Sequence, residues 1–262
     1  MSLDSWLNKY KENKPISVLT AYDAALSRLL EISKIDGILV GDSLRHTFFG
    51  DSTTTTATIE DMIYHTKAVK NGAPNTFIIA DMPYMSYHNS IDEALSNAQA
   101  LIEAGAHAVK CETLTNHLPT VKKMIQTGIP VMAHLGLQPQ YLTDTPDYSV
   151  RGSSKEDQHN LLTLSSALAD LGVFSIVLEK VPMSVAKTIT ETVHCPTIGI
   201  GAGPHCSGQV LVTNDLLGLT PNFSPKFVKK YLDGHSLILE ALTSYKTDVE
   251  SGIFPTKEQG YE

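Results

Sequence analysis

The side chains able to do chemistry in this chain stand at the ends of apolar runs. Asp42 follows GILVG, Asp81 closes TFIIAD, and Lys110 and Glu112 close HAVKCE. His134 follows PVMA, and Glu179 closes FSIVLE. A carboxylate behind an uninterrupted hydrophobic run is costly to bury unless a partner offsets its charge. One such acid is an ordinary solvated strand end. Four acids at four ends, with a lysine beside them, describe a site. Asp42, Asp81 and Glu112 are its metal candidates, because oxygen ligands alone select a hard cation such as Mg²⁺, which keeps water and takes one or two carboxylates directly. The alternative for these acids is a role as solvated strand caps or ion-pair partners of Lys110.

Lys110 and Glu112 are two residues apart, so on a strand both point the same way while Cys111 turns toward the helices. Lys110 can hold a substrate carboxylate as a point charge. Desolvated, it can instead form a Schiff base with a carbonyl. Glu179 ends its strand in the apolar setting that makes a carboxylate a useful general base. Pairing with Lys180 or a distant arginine is its structural alternative. His134 is either a site residue or a satisfied core histidine. Other signals are weaker. GIGAG (199–203) lacks the GxGxxG spacing and the following helix of a phosphate cradle. His194-Cys195 and His205-Cys206 match no zinc spacing. Phe48-Phe49, Tyr84 and Tyr87 read as packing.

These residues require a scaffold that gathers strand ends. Strands are expected at 16–20, 37–41, 76–81, 107–112, 130–136, 174–179, 196–201 and 209–215. Helical spacing fills the intervals, in AALSRLLEISK, TIEDMIYHTKAVKNG, SIDEALSNAQALIEAG, LPTVKKMIQTG, EDQHNLLTLSSALADLG and PMSVAKTITETV. Gly72, Gly105, Gly128 and Gly172 follow as C-terminal helix signals, and Ser90 with Glu93 reads as a capping box. The strands are continuous apolar runs, as parallel strands covered by helices should be. Eight of them alternating with helices predict a (βα)8 TIM barrel, with an open doubly wound sheet as the alternative. Barrel active sites lie at the C-terminal strand ends, where the charged residues fall. Residues 1–262 are expected to form one domain, with a short N-terminal helix and a helix from Ser224 onward that closes or covers the barrel. The connections 43–57 and 137–154 are long enough to be binding loops.

Composition narrows the function. A net charge of -8 offers no basic patch for nucleic acid. The three cysteines, Cys111, Cys195 and Cys206, form no disulfide framework and favour a reducing compartment. No stretch approaches the roughly 20 apolar residues of a membrane span, and MSLDSWLNKYKENKP reads as an amphipathic helix, so a cytoplasmic protein is expected.

The chain resembles the ketopantoate hydroxymethyltransferase family. The likeness runs through TAYD (20–23), LVGDSL (39–44), YHTKAV (64–69), ADMPYMSY (80–87), AGAHAVKCE (104–112), HLGL and PQ (134–140), LEKVP (178–182), IGIGAG (198–203), PKFVKKY (225–231) and VESGIFP (249–255). It implies a barrel of the phosphoenolpyruvate/pyruvate superfamily and the transfer of a hydroxymethyl unit from 5,10-methylenetetrahydrofolate to 3-methyl-2-oxobutanoate, giving 2-dehydropantoate for pantothenate biosynthesis. Carried over by residue, Asp42, Asp81 and Glu112 match the Mg²⁺ site, Asp42, Ser43, Asp81 and Lys110 the 2-oxoacid contacts, and Glu179 the proton acceptor. His134 matches a pocket histidine. Family members commonly form homo-oligomers as large as decamers. The sequence departs from the family pattern at RHTFFGDSTTTT (45–56), at Thr113-Leu114, at Ser207 and at Asn214. These lie around the mouth and bear on substrate size and folate recognition. A related metal-dependent lyase or aldolase acting on another 2-oxoacid is the alternative, and a binding protein without turnover is a third reading.

Overall fold

The computed structural model describes residues 2–142, 147–221 and 225–262. Eight parallel strands follow one another in chain order: β1 Ile16–Thr20, β2 Gly37–Val40, β3 Phe77–Asp81, β4 Ala108–Glu112, β5 Val131–Gly136, β6 Ser175–Glu179, β7 Thr197–Ile200 and β8 Gly208–Leu211. β8 pairs back with β1, so the sheet is a closed barrel and the open-sheet alternative is excluded. Helices alternate with the strands: α1 Leu3–Lys11 precedes β1, then come α2 Ala24–Ile32, α3 Ile59–Gly72, α4 Ile91–Glu103, α5 Leu118–Gln126, α6 Lys155–Leu171 and α7 Met183–Thr192. Residues 201–207 join β7 to β8 without a helix. The chain divides into two compact units, one ending at Val212 and one running from Thr213 to Glu262.

Strand alternation sorts the side chains of the first unit into two cores. Ile38, Val40, Ile78, Ala80, Val109, Cys111, Ala133, Ile176 and Leu178 face outward and pack with the helices. Leu39, Phe77, Ile79, Ala108, Met132, Val177 and Ile198 belong to the separate inner core. Trp6 of α1 joins the inner set, its ring 5.5 Å from Phe77 and 5.9 Å from Phe174. That position is secured by an ion pair of 2.5 Å between Lys9 and the buried Asp36, which also accepts from the Ser17 amide and hydroxyl. The N-terminal helix is therefore part of the barrel core.

Several local expectations need correction. β8 ends at Leu211, and Thr213–Leu216 instead form a short helix, α8. Asn214 and Asp215 favour turns over strand ladders, and the Leu217 and Leu219 amides close onto Thr213 and Asn214 carbonyls. The last helix, α9, spans Gly234–Glu250 and is capped by Asp233, which accepts from the Ser236 amide. Ser224 lies outside the described residues, but 225–233 are not helical, so the helix begins well after the expected start, where the Asp233 cap allows it. At Ser90 half of the capping box forms: its hydroxyl accepts from Glu93 N–H, while the Glu93 carboxylate accepts from Asn89. The full box is at Thr58 and Asp61, ahead of α3.

Gly105, Gly128 and Gly172 have the left-handed backbone expected after helices, but Gly72 does not. Gly72 is the last residue of α3, where a Cβ would lie 2.3 Å from the Ala24 carbonyl oxygen. The glycine is needed for helix contact. Gly72→Ala should accordingly destabilise the protein by about 1–3 kcal/mol, the usual cost of overpacking. Urea unfolding of the variant against wild type checks this.

Candidate active site

The alternation that fills the barrel with apolar side chains also delivers the charged ones. Asp81 continues the inward series of Phe77 and Ile79; Lys110 and Glu112 continue that of Ala108; His134 follows Met132; Glu179 follows Val177. The registers Asp81 with Lys110, Glu112 with His134 and Gly136 with Glu179 place them side by side around the mouth. Asp42 stands two residues past β2, and its amide donates to Asp81 Oδ2 at 3.1 Å. All six expected residues are thus gathered at the C-terminal end of the barrel. Cys111 faces the outer core, where burial pushes its thiol up to about 11 and keeps it neutral.

The site is dry and rich in negative charge. Asp42, Asp81, Glu112 and Lys110 are all buried. Lys110 Nζ lies 3.0 Å from Asp81 Oδ1. Burial, with Lys110 opposing it and Asp42 adding to it, raises Asp81 to about 7. Burial and the neighbouring Asp42 also raise Glu112 well above the usual carboxylate range. Three carboxylates face one ammonium, and this imbalance is what a divalent cation would relieve. Among the described residues, no three His, Cys, Asp or Glu side chains form a ready cage for one ion. A hard cation such as Mg²⁺ keeps several waters and needs only one or two direct carboxylates, and Asp42, Asp81 and Glu112 would be the oxygen donors offered to it. The donor set fits such an ion.

Burial alone favours a neutral Lys110, yet Asp81, Asp42 and Glu112 outweigh it and raise its pKa above the ordinary lysine value. A protonated amine is a carboxylate holder and a poor nucleophile. Its Nζ lies 3.5 Å from His134 Nδ1. A lysine can only donate, so Nδ1 accepts and the neutral ring carries its proton on Nε2. Burial, then Lys110, holds His134 below its usual range despite Glu179. His134 Nε2 faces Glu179 Oε2 at 3.3 Å, a contact without full hydrogen-bond alignment, as often found in unliganded sites. The Glu179 side chain is 19% exposed and set against an imidazole, so its setting is less apolar than the strand predicts. His134 therefore stands in the site, between Lys110 and Glu179, and is not a core histidine apart from it.

Ser43 has its hydroxyl 2.8 Å from the Tyr22 hydroxyl, beneath the mouth. His65 in turn bonds the Tyr22 carbonyl through Nδ1 at 2.6 Å. The hydroxyl-rich connection 43–57 contains one π-helical turn, Arg45–Phe49. Arg45 pins it through ion pairs to Asp51 at 2.6 Å and Asp61 at 3.4 Å. The connection after β5 leaves at Gly136, where φ is +94 and a Cβ would lie 2.2 Å from the Glu179 carbonyl oxygen. That passage brings Gln140 into the site, where it bonds Asp42 and Glu112. Sequence reasoning assigned no role to Tyr22 or Gln140 and took Tyr87, which also bonds Gln140, for packing. Only the resemblance touched all three, through TAYD, ADMPYMSY and PQ.

Fold and site together place these side chains at the C-terminal mouth of a (βα)8 barrel, the end at which barrel enzymes carry their active sites. At the level of fold, the chain is similar to 2,3-dimethylmalate lyase, a member of the PEP mutase/isocitrate lyase superfamily, with TM-score 0.61, 15% identity and coverage of 95% and 98% of the two chains. It is similar also to a phosphonopyruvate hydrolase solved with oxalate and Mg²⁺, with TM-score 0.64, 10% identity and coverage of 100% and 92%. Sequence relatives are nearer. The profile of the ketopantoate hydroxymethyltransferase family matches residues 1–257. The 3-methyl-2-oxobutanoate hydroxymethyltransferase of Pseudothermotoga lettingae is 48% identical over 260 residues, 98% of either chain. That of Francisella tularensis is 42% identical over 254 residues, 97% of this chain and 96% of its own. The chain belongs to the ketopantoate hydroxymethyltransferase family.

The charge state of Lys110 separates the two roles open to it. Borohydride reduction in the presence of a 2-oxoacid should leave the protein mass unchanged, because no imine forms. A mass increase located at Lys110 would establish the Schiff-base role instead.

Proposed function

We propose that this protein transfers a hydroxymethyl group from 5,10-methylenetetrahydrofolate to 3-methyl-2-oxobutanoate, giving 2-dehydropantoate. The observation that carries the reading is the buried array of Asp42, Asp81, Lys110 and Glu112 beside the Glu179–His134 pair, in a chain of this family. Lys110 supplies the fixed positive charge that a 2-oxoacid carboxylate needs, and the Ser43 hydroxyl, oriented by Tyr22, offers it a hydrogen bond. Asp42, Asp81 and Glu112 would hold Mg²⁺, which supplies Lewis-acid stabilisation of negative charge developing on the oxoacid oxygens. Glu179 takes the C3 proton. His134 Nε2–H, 3.3 Å from Glu179 Oε2, would turn onto that oxygen in the complex and leave Oε1 for the proton. The carbon nucleophile so formed attacks the one-carbon unit of the folate, water supplies the hydroxyl oxygen, and tetrahydrofolate leaves with the C3 proton and the second proton of that water.

Three further expectations belong to the same reading. The protein is a homo-oligomer, as large as a decamer, as the family resemblance implies. It works in the cytoplasm, a reading supported by three free cysteines and by the lack, among the described residues, of a helix long and apolar enough to cross a membrane. The whole chain acts as one catalytic domain in that assembly.

Purified protein with Mg²⁺, tetrahydrofolate, formaldehyde and a panel of 2-oxoacids tests the assignment, with products read by mass spectrometry. 2-Dehydropantoate is the expected product. No product from 3-methyl-2-oxobutanoate, with turnover of another 2-oxoacid, would move the protein to the lyase or aldolase reading. In the same assay Glu179→Gln should lower turnover by about 10²- to 10⁴-fold, the usual worth of a general base. It should also abolish solvent deuterium exchange at C3 while 2-oxoacid binding persists. Unchanged exchange would remove Glu179 from the role.

A further inference from the structure

Gln140 lies beyond the strand ends that form the site, yet its side chain reaches their centre. It is 2% exposed, on the single 3₁₀ turn Pro139–Tyr141 that follows β5. Its backbone N–H donates to Glu112 Oε2 at 3.0 Å. Its side-chain nitrogen donates to Asp42 Oδ2 at 2.8 Å and to the Met82 carbonyl at 3.1 Å. Its oxygen faces the Tyr87 hydroxyl at 2.8 Å. The amide orientation follows from chemistry. A carbonyl can only accept, so the nitrogen must face Met82 and the oxygen must face Tyr87. Both amide protons are thereby used inside the acidic site.

The turn that presents Gln140 is held on either side of it. Gln138 donates to the Thr113 carbonyl at 3.0 Å and the His134 carbonyl at 2.8 Å. The Tyr141 hydroxyl lies 2.7 Å from His88 Nε2 and 3.5 Å from His117 Nε2. Leu114 N–H donates to His117 Nδ1 at 3.1 Å, so a neutral His117 carries its proton on Nε2 and offers it to Tyr141. The Tyr141 proton then goes to His88. Burial, with His88 adding to it, pushes His117 down to about 4 and keeps it neutral. Residues 138, 140 and 141 are thus each tied to the loops after β3 and β4.

We propose that Gln140 is a positioning residue for the cation site. It takes one oxygen of Asp42 and one of Glu112, and so fixes how the remaining oxygens of these two acids meet a divalent ion. The proposal rests on the metal-dependent reading given above. An amide suits the task because it adds two donors without adding charge to a site already crowded with carboxylates. Without it, the Asp42 carboxylate would lose its donor in a dry site and rotate or recruit water. Partners that orient metal ligands are typically worth about 10- to 100-fold in metal affinity.

The test is Mn²⁺ binding, followed by electron paramagnetic resonance, for wild type, Gln140→Leu and Tyr87→Phe, together with thermal unfolding of the same proteins without metal. Leucine fills a similar volume and donates nothing. Wild type should bind Mn²⁺, and Gln140→Leu should bind it about 10- to 100-fold more weakly, with a changed signal from the bound ion. Tyr87→Phe, which removes the hydroxyl facing the amide oxygen but leaves both amide donors on Asp42 and Met82, should shift affinity in the same direction by less. A lower unfolding midpoint with unchanged Mn²⁺ affinity would mean a purely structural role and would overturn the proposal. Should Gln140→Leu fail to fold, unchanged affinity in Gln140→Met, which keeps the side-chain length and donates nothing, overturns it instead. Absence of Mn²⁺ binding by wild type overturns the metal reading and this one with it, whereas equal binding by all three proteins overturns the Gln140 role alone.

Discussion

Three buried carboxylates facing one buried ammonium set the terms for the rest of this structure. Isolated, each of these charges would be too costly to place at the end of an apolar strand. Together they are partly offset by the 3.0 Å pair of Lys110 with Asp81 and by donors from the Asp42 amide and from Gln140. On the proposed reading a hard cation would offset the remaining negative charge, and Lys110 would face the carboxylate of the substrate. The arrangement costs stability and confers chemistry.

The barrel makes that concentration of charge possible without a special device. Side chains alternate along a strand, so one inward series passes from Phe77 and Ile79 to Asp81, and another from Ala108 to Lys110 and Glu112. The lower positions bury hydrocarbon, with Trp6 among them. The upper positions of adjacent strands are brought together by the parallel register alone. Catalytic geometry and core packing are two ends of the same rows of side chains.

This logic also explains what could be read in the sequence. The six charged or imidazole residues were legible because each ends an apolar run, and the fold because those runs alternate with helical spacing. Gln140 was not legible: its partner Asp42 is 98 residues away, and a polar residue in a loop announces nothing locally. Tyr87 packs in the core as the sequence suggests, and what the sequence does not announce is that its hydroxyl also lies 2.8 Å from the Gln140 amide oxygen. The extent of β8 was overrun because VLV continues apolar up to Thr213, and only the turn chemistry of Asn214 and Asp215 ends it. Sequence reading succeeded where one residue carried the signal and failed where the signal was a distant pair.

On the proposed reading, the acids at the barrel mouth work by holding a divalent cation over an enolisable 2-oxoacid. Proton NMR of 3-methyl-2-oxobutanoate in D₂O, with the purified protein before and after chelation, addresses this most directly. The account predicts loss of the C3 proton signal with Mg²⁺ present, arrest of that loss on chelation, and recovery when Mg²⁺ is restored. Exchange at the same rate in the chelated protein would contradict it.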